Sequence, residues 1–238
     1  MNTGLIFAGG IGTRMNATAK PKQFLELHGK PIIVYTLEVF EAHPEIDKIL
    51  VVCVEEYIPE LWKLIRRYEM HKIVEIVKGG SSGFESIFNG LTALDSHCAD
   101  DDIVLIHDGV RPFIDEELIS ENINCTKVNG NAITTVPVTE GIIISSDGKV
   151  ADDYPNRRHV YSSKAPQTFK YKYIFDMYKR ARNDGFEPIE SAHLCQHYGE
   201  KLHMVKGSAN NIKITTPTDY YIFKAIYEAI ENSQFVGF

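Results

Sequence analysis

Short aliphatic runs alternate along this chain with stretches whose apolar residues recur every three to four positions. Leu5-Ile6-Phe7, residues 46–54 (Ile-Asp-Lys-Ile-Leu-Val-Val-Cys-Val), 73–77 and 102–106 are nearly continuous runs of strand length. Such runs, lacking polar alternation, are expected of parallel strands covered on both faces. Between them, a stretch opening at Pro31, a stripe of Leu61, Leu64, Ile65 and Tyr68, and a stripe of Ile87, Leu91 and Leu94 read as helices with one apolar face. Strand–helix alternation of this kind predicts an α/β fold with a single doubly wound, mostly parallel sheet. Past Thr134 the pattern changes. Val136-Pro137-Val138 and Gly141-Ile142-Ile143-Ile144-Ser145 are strand-like but joined by short turns, which predicts a protruding antiparallel β-arm over 136–170. Helices over 171–181 and 189–197, a strand over 202–205 and a last helix over 217–230 follow. No linker, repeat or low-complexity segment divides the 238 residues, so one domain over 1–238 is expected.

The strand ends carry the chemistry. The first run leaves through Ala8-Gly9-Gly10-Ile11-Gly12-Thr13-Arg14-Met15, and Lys20-Pro21-Lys22-Gln23-Phe24 closes that loop. Glycines there let backbone N–H groups crowd a polyphosphate, while Arg14 and Lys22 supply fixed positive charge. A glycine-tolerant turn with no ligand is the plainer alternative. The third run ends in Lys78-Gly79-Gly80-Ser81-Ser82 and the fourth in His107-Asp108-Gly109-Val110-Arg111-Pro112-Phe113. Polar loops at the carboxyl ends of parallel strands are where open α/β sheets bind ligands.

Composition narrows the ligand. A formal net charge of −7 and the absence of a long basic run argue against non-specific binding to nucleic acid and for a small phosphorylated substrate held in a local pocket. No apolar run approaches the roughly 20 residues of a membrane helix. The start, Met1-Asn2-Thr3-Gly4-Leu5-Ile6, lacks the pattern of a secretory leader, so a cytoplasmic protein with no membrane partner is expected. Cys53, Cys98, Cys125 and Cys195 are scattered and read as reduced core filler. His193 and His197 have the spacing of zinc ligands on a helix, but neither a following glutamate nor a third ligand accompanies them, so no zinc site is expected. The stripe Tyr220, Tyr221, Phe223, Ile226 and Tyr227 reads as packing of the last helix.

Taken together, Ala8 to Met15, Pro21-Lys22-Gln23-Phe24, Gly79-Gly80 with Ser86, His107 to Phe113, Pro166-Gln167 and Asn211-Ile212-Lys213-Ile214-Thr215 resemble the polyol-phosphate cytidylyltransferases. These enzymes couple CTP to methylerythritol 4-phosphate or ribitol 5-phosphate. Ala8-Gly9-Gly10 in the first loop, the block 21–27, Pro155-Asn156-Arg157 with His159 and Tyr161, and Pro166-Gln167-Thr168-Phe169 look closer to the ribitol-phosphate branch. The resemblance implies a Rossmann-like nucleotidyltransferase fold, CTP and a polyol phosphate as partners, and a homodimer. Ala8, Gly9, Gly10, Gly12, Thr13, Gly80, Ser81 and Ser86 would line the nucleotide, with Ser86 and the carbonyls near Gly80 and Ser81 reading the base. Arg14 and Lys22 would hold the β- and γ-phosphates, and Lys213 would stabilise charge on the α-phosphate and the incoming oxygen. Asp108 would be a ligand of Mg²⁺, with a helix-capping role or a pairing with Arg111 as the alternative. Arg111, Glu140 and Glu190 would face the acceptor. Arg157, or Arg158 in its place, would reach it from the neighbouring subunit.

The departures fall mostly on the acceptor side. Gly83 stands where the family usually has Arg, Glu140-Gly141 where it has Asp-Thr, Ala165 where it has Thr before Pro-Gln, and Ile189-Glu190-Ser191-Ala192 where it has Thr-Asp-Asp/Glu-Ala. The lost hydroxyls suggest an unusual acceptor or, as a rival reading, a catalytically idle CTP-binding relative. A sugar nucleotidyltransferase using another nucleoside triphosphate is the third reading.

Overall fold

A computed structural model describes residues 1–10 and 20–232. Its centre is a seven-stranded sheet made of β1 (Asn2–Ala8), β4 (Lys48–Cys53), β5 (Ile73–Lys78), β6 (Ile103–Asp108), β7 (Asn131–Pro137), β8 (Tyr161–Lys170) and β9 (Met204–Lys206), in the order β5-β4-β1-β6-β8-β7-β9. All neighbouring pairs are parallel except β6–β8 and β7–β8, so β8 alone runs against the rest. A two-stranded ribbon of β2 (Glu26–Leu27) and β3 (Lys30–Pro31) lies outside it.

The unbroken aliphatic runs are explained by what covers them. Along β1, β4 and β6, side chains alternate between two separate cores. Ile6, Ile49, Val51, Ile103 and Leu105 pack with α1 (Ile32–Ala42), α2 (Ile58–Arg67) and α4 (Glu116–Asn129). Leu5, Leu50, Val52, Val104 and Ile106 pack with α3 (Gly83–Ala93), α5 (Tyr171–Asp184) and α6 (Ser191–His197). With both faces dry, the middle positions of these strands are aliphatic on both sides, and periodicity of two disappears. A third cluster, including Leu27, Ile32, Val110, Ile214 and Phe223, seats α7 (Pro217–Glu231), and Tyr35 and Phe113 pack edge-on or tilted on Phe223, which accounts for part of the aromatic stripe of that helix. Cys53 and Cys195 are buried and Cys98 and Cys125 half-buried, all four as free thiols.

Three boundaries depart from the sequence expectation. Helix α4 has no strong apolar stripe and is not signalled by periodicity. Its buried face includes Asn122 and Thr126, which hydrogen bond into the sheet instead: Asn122 Nδ2 donates to Thr134 Oγ1 at 3.1 Å and Asn122 Oδ1 accepts from Thr168 Oγ1 at 3.2 Å. Its ends do carry signals, an Asp115 cap bonded to the Leu118 N–H and a left-handed Gly130. Residues 141–145 form no strand; a lone bridge joins Ile144 to Asp153. Of the span 136–170 expected to project, residues 161–170 are β8, whose second half lies between β6 and β7 in the sheet, so the irregular excursion is 138–160.

Gly90 in α3 sets how closely the helix lies on the sheet, because a Cβ there would stand 2.6 Å from Leu5 Cδ1 and 2.8 Å from Val52 Cγ2. Gly90→Val is expected to lower the unfolding free energy by about 2–3 kcal/mol through overpacking, read by denaturant unfolding. An unchanged midpoint would show that α3 can lift away freely.

Candidate functional site

Strand β1 has β4 on one side and β6 on the other, so the order of winding reverses beside it, and a crevice opens outside the carboxyl ends of the strands. Two glycine pairs build one wall. A Cβ on Gly79 would lie 2.9 Å from the Gly9 Cα, and one on Gly9 would lie 2.8 Å from Ser86 Oγ. The loops after β1 and β5 therefore touch backbone to backbone, and any side chain would separate them. Gln23, buried in the turn Lys22–Phe24, donates from Nε2 to the Ala8 carbonyl at 2.6 Å and to the Gly10 carbonyl at 3.2 Å. Ser86 Oγ accepts the Gly80 N–H at 3.1 Å and donates to the Ser82 carbonyl at 2.8 Å. Its hydroxyl thus shapes the loop, and a lone pair is what it retains for a ligand. Ser81 is likewise engaged, its N–H and hydroxyl both donating to Glu85 Oε2, which draws that carboxyl below its ordinary pKa.

Across the crevice stands Asp108, the last residue of β6 and only 5% exposed. Oδ1 accepts from Lys213 Nζ at 2.6 Å and Oδ2 from Arg111 Nε at 2.7 Å. Burial alone would raise its pKa, but the two cations overcome that and hold it at about 2. Arg111 also donates from Nη1 to the Asn211 carbonyl at 3.0 Å, and Asn211 Nδ2 donates to the Ala165 carbonyl at 2.6 Å. One carboxylate thereby links the end of β6, the segment carrying Lys213 and the start of β8.

Two adjoining clefts share this centre. The larger, about 540 Å³, is lined by Ala8, Gly9, Gly10, Lys22, Gly80, Ser81, Ser86, Asp108 and Lys213, along with Gln23 and Thr215. The smaller, about 240 Å³, contains Asp108, Arg111 and Lys213 again, with Lys164, Gln167, Glu190 and Ser191. They meet at Phe7, Gly83, Asp108 and Lys213, and Gly83 leaves open space there, since a Cβ on it would meet nothing within 4 Å. A phosphate-bearing chain in the first cleft and a second anion in the other would both face the Lys213 ammonium.

The family described as IspD, 2-C-methyl-D-erythritol 4-phosphate cytidylyltransferase, matches residues 3–229. The chain belongs to the IspD family. Within it, the chain is 46% identical over 238 residues, all of both proteins, to the ribitol-5-phosphate cytidylyltransferase of Vibrio parahaemolyticus. It is 35% identical to the 2-C-methyl-D-erythritol 4-phosphate cytidylyltransferase of Clostridium botulinum, over 96% of this chain and 98% of that one. Its fold matches the crystal structure of 4-diphosphocytidyl-2C-methyl-D-erythritol synthase from Anaerococcus prevotii with a TM-score of 0.84 at 31% identity, covering 95% of this chain and 96% of that chain. The IspD-family chain is accordingly a CTP-dependent nucleotidyltransferase, and no helix among its described residues is long and apolar enough to cross a membrane.

For this IspD-family site the two clefts collect most of the residues singled out from sequence. Gly12, Thr13 and Arg14 lie outside the described residues. Glu140 and Arg157 line neither cleft of their own chain; both are exposed on the excursion, where Arg157 Nη1 donates to the Thr139 carbonyl at 2.8 Å. His193 and His197 serve packing. His197 stacks on Phe186 with ring centroids 3.8 Å apart, and His193 Nδ1 accepts the Ile189 N–H. Gln23 and Lys164 take places in the site that motif reading does not assign. For Gln23 the signal was a buried amide between two loops. For Lys164 it was the reversal of β8, which brings the beginning of that strand to the ligand edge.

Beside the centre, His107 is fully buried, its Nε2–H donating to the Arg111 carbonyl at 3.1 Å while Nδ1 has no partner. Burial lowers its pKa to about 4. The unfolded chain takes up a proton near pH 6.5, whereas the folded protein does not until about pH 4, so stability should fall as pH drops through that interval. Denaturant titrations at successive pH values check this; the slope should flatten in His107→Gln, and a wild-type curve level between pH 6.5 and 4 would contradict it.

Proposed function

We propose that this protein transfers CMP from CTP to a small polyol phosphate, with ribitol 5-phosphate as the favoured acceptor, giving a CDP-polyol and pyrophosphate. The single observation that carries the reading is that two clefts meet at one ammonium, Lys213, itself oriented by a buried carboxylate. An oxygen of the acceptor phosphate forms a bond to the α-phosphorus as the bond to the bridging oxygen of the β-phosphate breaks, and pyrophosphate leaves with that electron pair. Two anions must approach, so charge neutralisation and in-line placement are the main requirements. Lys213 lies where charge builds, Lys22 holds the β- and γ-phosphates together with Arg14, and the touching glycine loops keep the nucleotide wall flat. The acceptor preference rests on the relatives named for ribitol 5-phosphate; the matching family and the clostridial relative keep methylerythritol 4-phosphate as the alternative.

Asp108 fits a divalent cation such as Mg²⁺ as a single ligand: it is ionised, faces the larger cleft, and each of its oxygens has a second lone pair beyond the one given to Lys213 or Arg111. No group of three or more His, Cys, Asp or Glu that could hold a metal occurs among the described residues, so water and phosphate oxygens would complete the shell. When bound, the ion would neutralise phosphate charge and orient the leaving group.

The exposed apolar residues of the excursion, Ile143, Ile144, Val150 and Tyr154, favour a homodimer in which a second copy covers them. In that arrangement Arg157, outside both clefts of its own chain, serves the acceptor of the partner. A cytoplasmic setting suits the soluble substrates.

Incubation with CTP, Mg²⁺ and a panel of four- to six-carbon polyol phosphates, scored by pyrophosphate release, should give fastest turnover with ribitol 5-phosphate. Fastest turnover with methylerythritol 4-phosphate would select the alternative, and CTP binding without release on any acceptor would mark an idle relative. Lys213→Ala should cut turnover about 100-fold or more with a smaller effect on stability, because the Lys213 side chain is 40% exposed and Asp108 keeps Arg111 as a partner. Asp108→Asn separates these effects poorly, since it leaves two cations around a buried neutral group. Finally, Lys22→Ala and Arg157→Ala proteins, each impaired alone, should regain activity on subunit exchange; a monomer, or a mixture that regains nothing, would place Arg157 elsewhere.

A further inference from the structure

The smaller cleft holds three cations, Arg111, Lys164 and Lys213, against two carboxylates, Asp108 and Glu190. Arg111 and Lys213 both spend their charge on Asp108. Lys164 does not: among the described residues no carboxylate stands within ion-pair distance of its ammonium, which also donates no hydrogen bond there. The side chain is half-buried on β8, and both burial and the neighbouring guanidinium of Arg111 lower its pKa. A cation kept partly dry, beside a like charge and without a counter-ion, is costly in the empty protein and relieved when an anion arrives.

We propose that Lys164 binds the phosphate of the acceptor, a phosphate monoester of a small polyol, in the smaller cleft. The inference rests on the nucleotidyl-transfer reading given above and adds to it the group that captures the second substrate within one chain. Lys164 lines the smaller cleft and not the larger, so its partner is not the CTP chain. The polyol hydroxyls are neutral and would leave the surplus charge unmet, whereas a phosphate meets it. A phosphate between Lys164 and Arg111 adjoins Lys213, the shared wall through which its oxygen reaches the α-phosphorus. The carbon chain then extends toward Glu190 and Ser191, whose oxygens suit hydroxyl groups.

Lys164→Met should raise KM for ribitol 5-phosphate tenfold or more, as expected for one lost charge-assisted hydrogen bond, and leave KM for CTP within about twofold. Lys164→Arg, which keeps the charge, should restore most of the loss. An unchanged acceptor KM, or a rise confined to CTP, would overturn the proposal. A second readout does not depend on turnover: limited acetylation with acetic anhydride, followed by peptide mass spectrometry, should show Lys164 shielded by ribitol 5-phosphate and not by ribitol. Shielding in a protein that turns over no polyol phosphate would keep this assignment and defeat the proposed reaction. Turnover with neither shielding nor a KM change would do the reverse.

Discussion

The carboxylate of Asp108, withdrawn from water and shared by a lysine and an arginine, is the constraint on which the site depends. A buried charge without partners costs several kcal/mol, so the three groups must be brought together whenever the chain folds. Each comes from a different place: Asp108 ends β6, Arg111 lies in the turn beyond it, and Lys213 is about a hundred residues further along the chain. Arg111 then fixes Asn211, Asn211 fixes the carbonyl of Ala165, and the Ile214 N–H bonds to the Val110 carbonyl at 2.9 Å. Lys213 is thus held at the junction of two clefts by bonds that a flexible surface lysine would not have. Preorganisation of this kind lets a cation act on developing charge without first having to be ordered.

The glycine wall depends on a different balance. Backbone contact between Gly9 and Gly79 leaves no room for side chains, and Gln23 compensates by tying the first loop to the turn behind it. A single glutamine reaching two carbonyls does what a strand pair would do elsewhere, but without occupying the ligand side. The glycine signal therefore has two physical origins here, access for a ligand and close approach of two loops.

Much of the architecture was legible because burial on both faces leaves an unmistakable aliphatic run, and because the polar exits of β1, β5 and β6 are contiguous in sequence. Helix α4 escaped because hydrogen bonds by Asn122 and Thr126 replace part of the apolar stripe that periodicity detects. The segment 141–145 misled for the converse reason: Ile142, Ile143 and Ile144 have the composition of a strand, yet among the described residues only the lone bridge from Ile144 to Asp153 pairs with them. At the site, motif reading found residues that follow a parallel strand and overlooked Lys164, which precedes the core of a reversed one. Asp108 could be read as a pairing partner or a metal ligand from sequence, and only distance shows that both of its oxygens are already bonded.

The reversal of β8 also divides the labour of evolutionary change. One wall of the larger cleft is made by loops that leave β1 and β5 and press on one another, so a substitution in either is transmitted to its neighbour. The smaller cleft is lined by the entry of β8 and the loop before α6, whose side chains at 165, 189 and 190 can change while the Gln167 amide still ties the strand to the Ala192 N–H at 2.8 Å. A fold built this way can alter the lining of one cleft while leaving that of the other untouched.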